Sequence, residues 1–449
     1  MVKKNETTSE NIDEEQDKKS SFIQEKYRID LAGRMFTYVA SPKIPSVYRF
    51  WAIMKNLVNV DLLQESLNSL IKRFPYYQVK LKNGFLWDYW KATDELPQVE
   101  KEREYPCQYI PMREENAFPF RVMAHLNEII VEFSHSVTDG SGALIFLKAL
   151  IADYLVRTGL VIDNWGSVYR ADEKPDEQEF EYSYRKNFKL GFPKIERDFR
   201  AFQLPFESED KGVFHVVKGK LPVTDVLKVS KEFKVTLTEF LAALYIESLQ
   251  EILFDLPEKQ LKKLKRPIKI MVPINVRNLM PSNTMRNFTA YVAPGIDPRL
   301  GEFSFKEIIE QVHYYKNMFM NKKFITQMIS NFVYLEINPY LHFTPSIFKK
   351  WFIKPLYKNI GESQFSGIMT NLGKTSLPQP LNEEVAELHF LPMNHPHFKT
   401  GCALLTYYDE LNINFGRNYA DDVVERKFFE KVKKFNITTT VTEHTVEEK

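Results

Sequence analysis

The stretch VEFSHSVTDGSGALIFLKAL, residues 131–150, decides how the rest of the chain is read. Ile129, Val131, Phe133 and His135 alternate, which predicts a strand with these four side chains on one face. Behind it, FPFRVMAH reads as a second strand joined through a tight polar turn at Asn127-Glu128. Ahead of it, Leu144, Leu147, Ile151 and Leu155 recur at helical spacing, with Gly159 as the stop. An apolar strand therefore ends in His135, and a short loop through Asp139 and Gly140 leads into an apolar helix.

A histidine in that setting has two readings. A neutral imidazole, with an ordinary pKa of ~6.5, can take a proton from an attacking alcohol or amine, a contribution of ~10²–10⁴ in rate. A strand end followed by a rigid loop would hold such a ring in one direction. Asp139 could fix the loop through backbone donors or a cation. Gly140 would let the backbone turn sharply and come close to a ligand. The alternative is a structural histidine beside an Asp-Gly turn. Apolar elements on both sides favour a ring that faces an interior.

Working outward, NVDLLQESLNSLIKRFPYYQVKL predicts a helix capped by Asp61, with Leu62, Leu63, Leu67, Leu70 and Ile71 as its stripe and Pro75 beyond its end. Residues 164–219 are polar, charged and aromatic without period, and read as a crossover. TLTEFLAALYIESLQEIL predicts a long helix capped by Thr236 or Thr238. Ile268, Ile270, Val272 and Ile274 mark a strand, FSGIMTNLGK another, and GCALLTYYDELNINFGR a hairpin about Asp409-Glu410. ADDVVERKFFEKVKKF predicts a closing helix before a frayed tail. The pattern is α/β, with two similar two-layer α/β units.

At 449 residues the chain exceeds what one core usually serves, so two domains are expected. The expected division is a disordered tail over 1–24, an N-terminal domain over 25–185, a C-terminal domain with the crossover over 186–440, and a tail over 441–449. With 61 basic and 59 acidic residues interleaved, the net charge of +2 argues against nucleic acid as a partner. The 35 Phe and 22 Tyr suggest bulky cores and an aromatic-lined tunnel. The N-terminus lacks the apolar segment of a secretory signal or anchor, and no later run reaches the ~18 apolar residues of a membrane span. Cys107 and Cys402 stand far apart, consistent with reduced thiols in a cytoplasmic protein.

HSVTDG, residues 135–140, resembles the HxxxDG signature of the chloramphenicol acetyltransferase-like superfamily of alcohol acetyltransferases, BAHD and polyketide-associated acyltransferases, and condensation domains. SLIKRFPYYQVKLKNGFLWDYW, VPINVRNLMPSNTMRNFTAYV and MTNLGKTSLP are similar to other segments of that superfamily, in matching order. The resemblance implies two chloramphenicol acetyltransferase-like domains with a tunnel along their interface. It further implies His135 as catalytic base and Asp139 as a structural aspartate paired with Arg277. Thr370 and Asn371 are candidates to assist the developing oxyanion, with the Gly140 N–H as a second donor; Thr-Asn-Leu-Gly is equally good turn chemistry. Ser134 stands where condensation domains carry a second histidine, and Asp-Phe-Gly-Trp-Gly is absent, so the alcohol acetyltransferase branch is preferred.

His389, His395 and His397 could bind zinc by spacing, but no cysteine pair supports them, and no metal is expected. The aromatic and basic segment 322–359 could touch a membrane; core packing with lysines at its rim is preferred. The expected function is acyl transfer, acetyl above all, from acyl-CoA as co-substrate to a small alcohol or amine. No resident cofactor is expected, and the protein is expected to be a monomer. The alternatives are a condensation-type enzyme with an acyl carrier protein as donor, and a non-catalytic ligand-binding relative.

Overall fold

The computed structural model describes residues 24–195, 199–209, 213–356, 362–393 and 399–444. Nearly all of the predicted N-terminal tail, residues 1–23, therefore lies outside the described residues, as do His395 and His397.

Two large sheets carry the fold. The first has five strands in the order Val385–Leu391, Val47–Met54, Glu128–Ser134, Phe120–His125 and Val99–Lys101. The strand that delivers His135 is the middle one. Ile129, Ile130, Val131 and Phe133 are all fully buried, because both faces are covered. The helix Gly140–Arg157 packs on this sheet and against the helix Val60–Leu70. It is apolar nearly all round, as suits a helix enclosed on several sides. Its end follows the sequence signal: Gly159 has φ +100°, beyond the cap residue Thr158. The start of Val60–Leu70 does not, since Asn59 rather than Asp61 caps it, accepting from the N–H groups of Asp61 and Leu62.

The second sheet has eight strands. Seven follow the order Thr289–Val292, Ile268–Asn275, Gly367–Thr375, Thr400–Tyr407, Glu410–Arg417, His215–Pro222 and Thr440–His444. The helices Leu237–Phe254, Phe305–Phe319 and Val423–Lys434 contribute to its core. Thr236, not Thr238, caps the first of these in a capping box with Glu239.

Several features depart from the linear reading. Val385–Leu391 belongs to the second half of the chain but pairs with Arg49 to Met54 of the strand Val47–Met54 in the first sheet. The halves are thus strapped together, and the first core cluster recruits Phe214, Met285, Leu405 and Tyr407 from the second half. Residues 441–444, expected to belong to a frayed tail, extend the strand Thr440–His444 that pairs with His215–Pro222. Both hairpin turns sit one residue earlier than expected. They begin at Leu126 (φ +50°) and Tyr408 (φ +53°), bulky residues in a conformation that turn propensities assign to glycine or asparagine.

Segment 322–359 divides in two. Ile325, Met328, Ile329 and Val333 of the helix Lys322–Ile337 are core residues. Beyond it Tyr340, Phe343, Ile347, Phe348 and Trp351 are exposed. Lys349 is not at a rim: it is buried over the Trp87 ring, donating to the carbonyls of Leu86 and His342, and burial lowers its pKa to about 8. No helix among the described residues is long and apolar enough to cross a membrane.

Gly219 marks a tight contact between the second sheet and a helix. A Cβ there would lie 2.3 Å from the Phe429 ring. Gly219→Ala is expected to cost about 1–3 kcal/mol by overpacking. It should lower the denaturant midpoint with little change in slope.

Candidate active site at the junction of the two sheets

The loop from Ser134 to Asp139 is bonded at almost every residue, and the alternation in SHSVTD explains how. The His135 N–H donates to the Ser46 carbonyl at 2.8 Å, and that of Val137 to Ser134. The hydroxyls of Ser134 and Ser136 lie 2.7 Å apart, and Ser136 also reaches Met112 Sδ. Thr138 donates to the Met285 carbonyl at 2.7 Å. Tyr48 donates to the Thr138 carbonyl, and Tyr77 to both Thr138 Oγ1 and the Met285 carbonyl. Burial raises both phenols well above their ordinary pKa, so they remain donors.

Asp139 closes the loop and opens the helix. Oδ1 accepts from the N–H groups of Ser141 and Gly142, the work of a helix N-cap. Oδ2 faces the other half of the molecule, accepting from Arg277 Nη1 at 2.8 Å and from the Phe288 N–H at 2.8 Å. The carboxylate is 1% exposed. The Arg277 guanidinium also donates to the carbonyls of Thr284 and Arg286 and to Asn275 Oδ1. Asn275 in turn donates to Ser141 at 3.1 Å. The pair expected from the family resemblance is present, and it joins the first helix turn after the loop to strand ends of the second sheet.

The His135 ring is half-buried. It stacks on Phe36 of the helix Leu31–Val39 at 4.6 Å between centroids, and Tyr48 flanks it at 4.9 Å. Nδ1 lies 3.1 Å from Asn287 Oδ1. Asn287 and Asp30 are buried beside it. Burial pushes the Asp30 carboxyl up, against the opposing pull of Arg286 and the Gly33 N–H. None of Asn287, Asp30 or Phe36 was singled out from the sequence. Asp30 before LAGRMF carries an N-cap signal, and it does cap that helix. A lone Asn before a strand, as at 287, carries no signal of its own.

The remaining candidates divide. A Cβ on Gly140 would meet Leu372 Cδ2 of the second sheet at 3.2 Å and the Phe390 ring of the first at 3.6 Å, so both sheets close on the helix start here. The sharper steric demand falls on Gly142, where a Cβ would lie 2.3 Å from Thr138 Oγ1 and 2.8 Å from the Met285 carbonyl. Asp139 takes the N–H groups of Ser141 and Gly142, and neither bond uses that of Gly140. Thr370 is half-buried on the strand Gly367–Thr375, paired with Ala403 of the neighbouring strand. Asn371, a candidate oxyanion donor, donates from its amide to Thr238 at 2.8 Å, and its oxygen accepts from the Gly373 N–H. It lies on the helix side of the sheet and secures the turn that Thr-Asn-Leu-Gly chemistry also allowed. His389 is buried, bonded to Glu387 and stacked on Trp51. Among the described residues no group of three or more His, Cys, Asp or Glu side chains could hold a metal.

Breaking a buried pair leaves a stranded charge. Asp139→Ala and Arg277→Ala are each expected to destabilise the fold by about 3–5 kcal/mol. The double variant should cost less than their sum, as a denaturant double-mutant cycle would read.

No family model matches the chain, and no curated protein matches it by sequence. Solved structures do. Polyketide synthase associated protein 5 from Mycobacterium tuberculosis superposes with a TM-score of 0.58 at 14% identity, covering 91% of this chain and 96% of that one. The TRI3 trichothecene 15-O-acetyltransferase from Fusarium sporotrichioides gives 0.56 at 11% identity, covering 91% and 94%. The first condensation domain of the CDA synthetase gives 0.54 at 11% identity, also covering 91% and 94%. At such identities the likeness is one of fold, and the whole described molecule takes part in it: this chain has the paired, chloramphenicol acetyltransferase-like α/β fold that acyltransferases and condensation domains share.

Proposed function

We propose that this protein is an acyltransferase that moves an acyl group, acetyl in the simplest case, from coenzyme A to the hydroxyl or amine of a small molecule. The observation that carries the proposal is the setting of His135. Its imidazole sits at the junction of the two sheets, on a loop bonded at almost every residue, and is contacted by Phe36 and Tyr48 from the first half and Asn287 from the second. A structural histidine does not need that investment of hydrogen bonds from both halves.

In the proposed reaction the acceptor O–H or N–H bond breaks and its proton passes to His135. The freed electron pair forms a bond to the thioester carbonyl carbon. The tetrahedral intermediate then collapses, the C–S bond breaks, and the departing thiolate takes the proton back from His135. No covalent acyl-enzyme is required, and acyl-CoA enters as co-substrate rather than resident cofactor. Asp139 and Arg277 hold the loop at a distance from the reacting atoms. The Thr370 hydroxyl and the Gly140 N–H are the donors assigned to the oxyanion, where one well-placed donor is worth about 3 kcal/mol.

A panel of acyl-CoAs with alcohols and amines, followed by thiol release, tests this. His135→Ala should lower turnover by ~10²–10⁴ while leaving the fold intact. Unchanged release in that variant would remove His135 as the base. Activity only with a carrier-linked thioester would replace coenzyme A by an acyl carrier protein as donor.

A further inference from the structure

His135 Nδ1 and Asn287 Oδ1 lie 3.1 Å apart, and whether Nδ1 carries a proton there follows from the other end of the amide. Asn287 Nδ2 is 3.1 Å from the carbonyl oxygen of His135 itself. It is also 3.3 and 3.4 Å from the two carboxylate oxygens of Asp30. A backbone carbonyl can only accept, so nitrogen has to stand at that end of the amide; a flipped side chain would set oxygen against oxygen. Asp30 is tied down as well. Its Oδ1 accepts from the Gly33 N–H at 2.8 Å, and Arg286 stands 3.9 Å from Oδ2. Asn287 and Asp30 are each 1% exposed, so neither can readily exchange these bonds for water.

With the amide oriented in this way, its oxygen faces Nδ1 and needs a proton there. The neutral ring must then carry hydrogen on Nδ1 and its lone pair on Nε2. The other tautomer would oppose two lone pairs at 3.1 Å. We propose that Asn287, held by the His135 carbonyl and by Asp30, is a positioning residue that fixes the tautomer of His135 and so makes Nε2 the atom that takes the acceptor's proton. This rests on the reading of His135 as the base. When Nε2 gains the proton from the acceptor, the Nδ1–H bond to Asn287 is unchanged. The amide oxygen then faces a cation, with the Asp30 carboxyl behind it. When Nε2 gives the proton to the leaving thiolate, the starting tautomer returns without any rotation of the ring. Free imidazole side chains in water favour the proton on Nε2, so the arrangement works against the ring's own preference.

Long-range proton–nitrogen correlation spectra of protein labelled at its histidine nitrogens read the tautomer directly and need no acyl donor. His135 is assigned by its loss in His135→Ala. The expected result is a neutral ring protonated on Nδ1 in the native protein and a shift toward Nε2 protonation in Asn287→Ala. Asp30→Asn keeps an acceptor oxygen for the Asn287 amide and leaves its bond to the His135 carbonyl in place, so it should retain the native tautomer, which keeps the test decisive should Asn287→Ala fail to fold. In acyl-transfer assays kcat should fall about 10- to 100-fold in Asn287→Ala with KM unchanged. A native ring protonated on Nε2 would overturn the proposal, as would an unchanged tautomer in folded Asn287→Ala or a switched one in folded Asp30→Asn. If His135→Ala keeps full activity, the catalytic reading fails while the spectra still report whether Asn287 sets the tautomer.

Discussion

The carboxylate of Asp139 holds the two halves of this molecule in register. One oxygen caps a helix of the first half; the other accepts from Arg277 and from the Phe288 N–H of the second. Almost removed from water, the ion is tolerable only because its lone pairs are satisfied from several directions. Arg277 supplies a planar fork, and the donors left over from the pair go to the carbonyls of Thr284 and Arg286. That single group therefore sets the helix start, the ends of two second-half strands and the loop that bears His135.

Around this clamp the site is built by short side chains on alternate sides of one loop. Ser134, Ser136 and Thr138 turn inward to bond within the protein, and His135 turns toward Phe36, Tyr48 and Asn287. The seam itself is narrow: Gly140 stands within contact of Leu372 and Phe390. The strap Val385–Leu391, paired with Arg49 to Met54, ties the second half of the chain into the first sheet. Chemistry at such a seam depends on positions held by both halves rather than on a mobile lid.

Much of the site was legible because local signals and buried function coincide there. Alternation up to His135, the N-cap at Asp139 and the helical period after it all point to one strand–loop–helix unit, and each follows from backbone geometry. The pairing with Arg277 needed the family resemblance, since a lone arginine after a strand reads as a solvated charge. The face that Asn371 takes was not legible, because a strand residue does not announce its face when a register shift follows it; the pairing is irregular between Asn371 and Lys374. Asn287 and Asp30 were missed because their meaning lies in what they touch, across sequence separations that no local pattern spans.

The amino-acid order by itself determined the α/β character, the strand that ends at His135, the capped helix after it and the absence of an apolar run long enough to span a bilayer. These are short-range properties, set by side-chain periodicity and by which backbone groups a neighbouring side chain can satisfy. Only the tertiary structure decided that Val385–Leu391 crosses into the first sheet, that residues 441–444 pair rather than fray, and that Asn287 and Asp30 meet the imidazole. Those outcomes depend on long-range strand pairing and on which buried polar groups remain to be satisfied once both cores have closed.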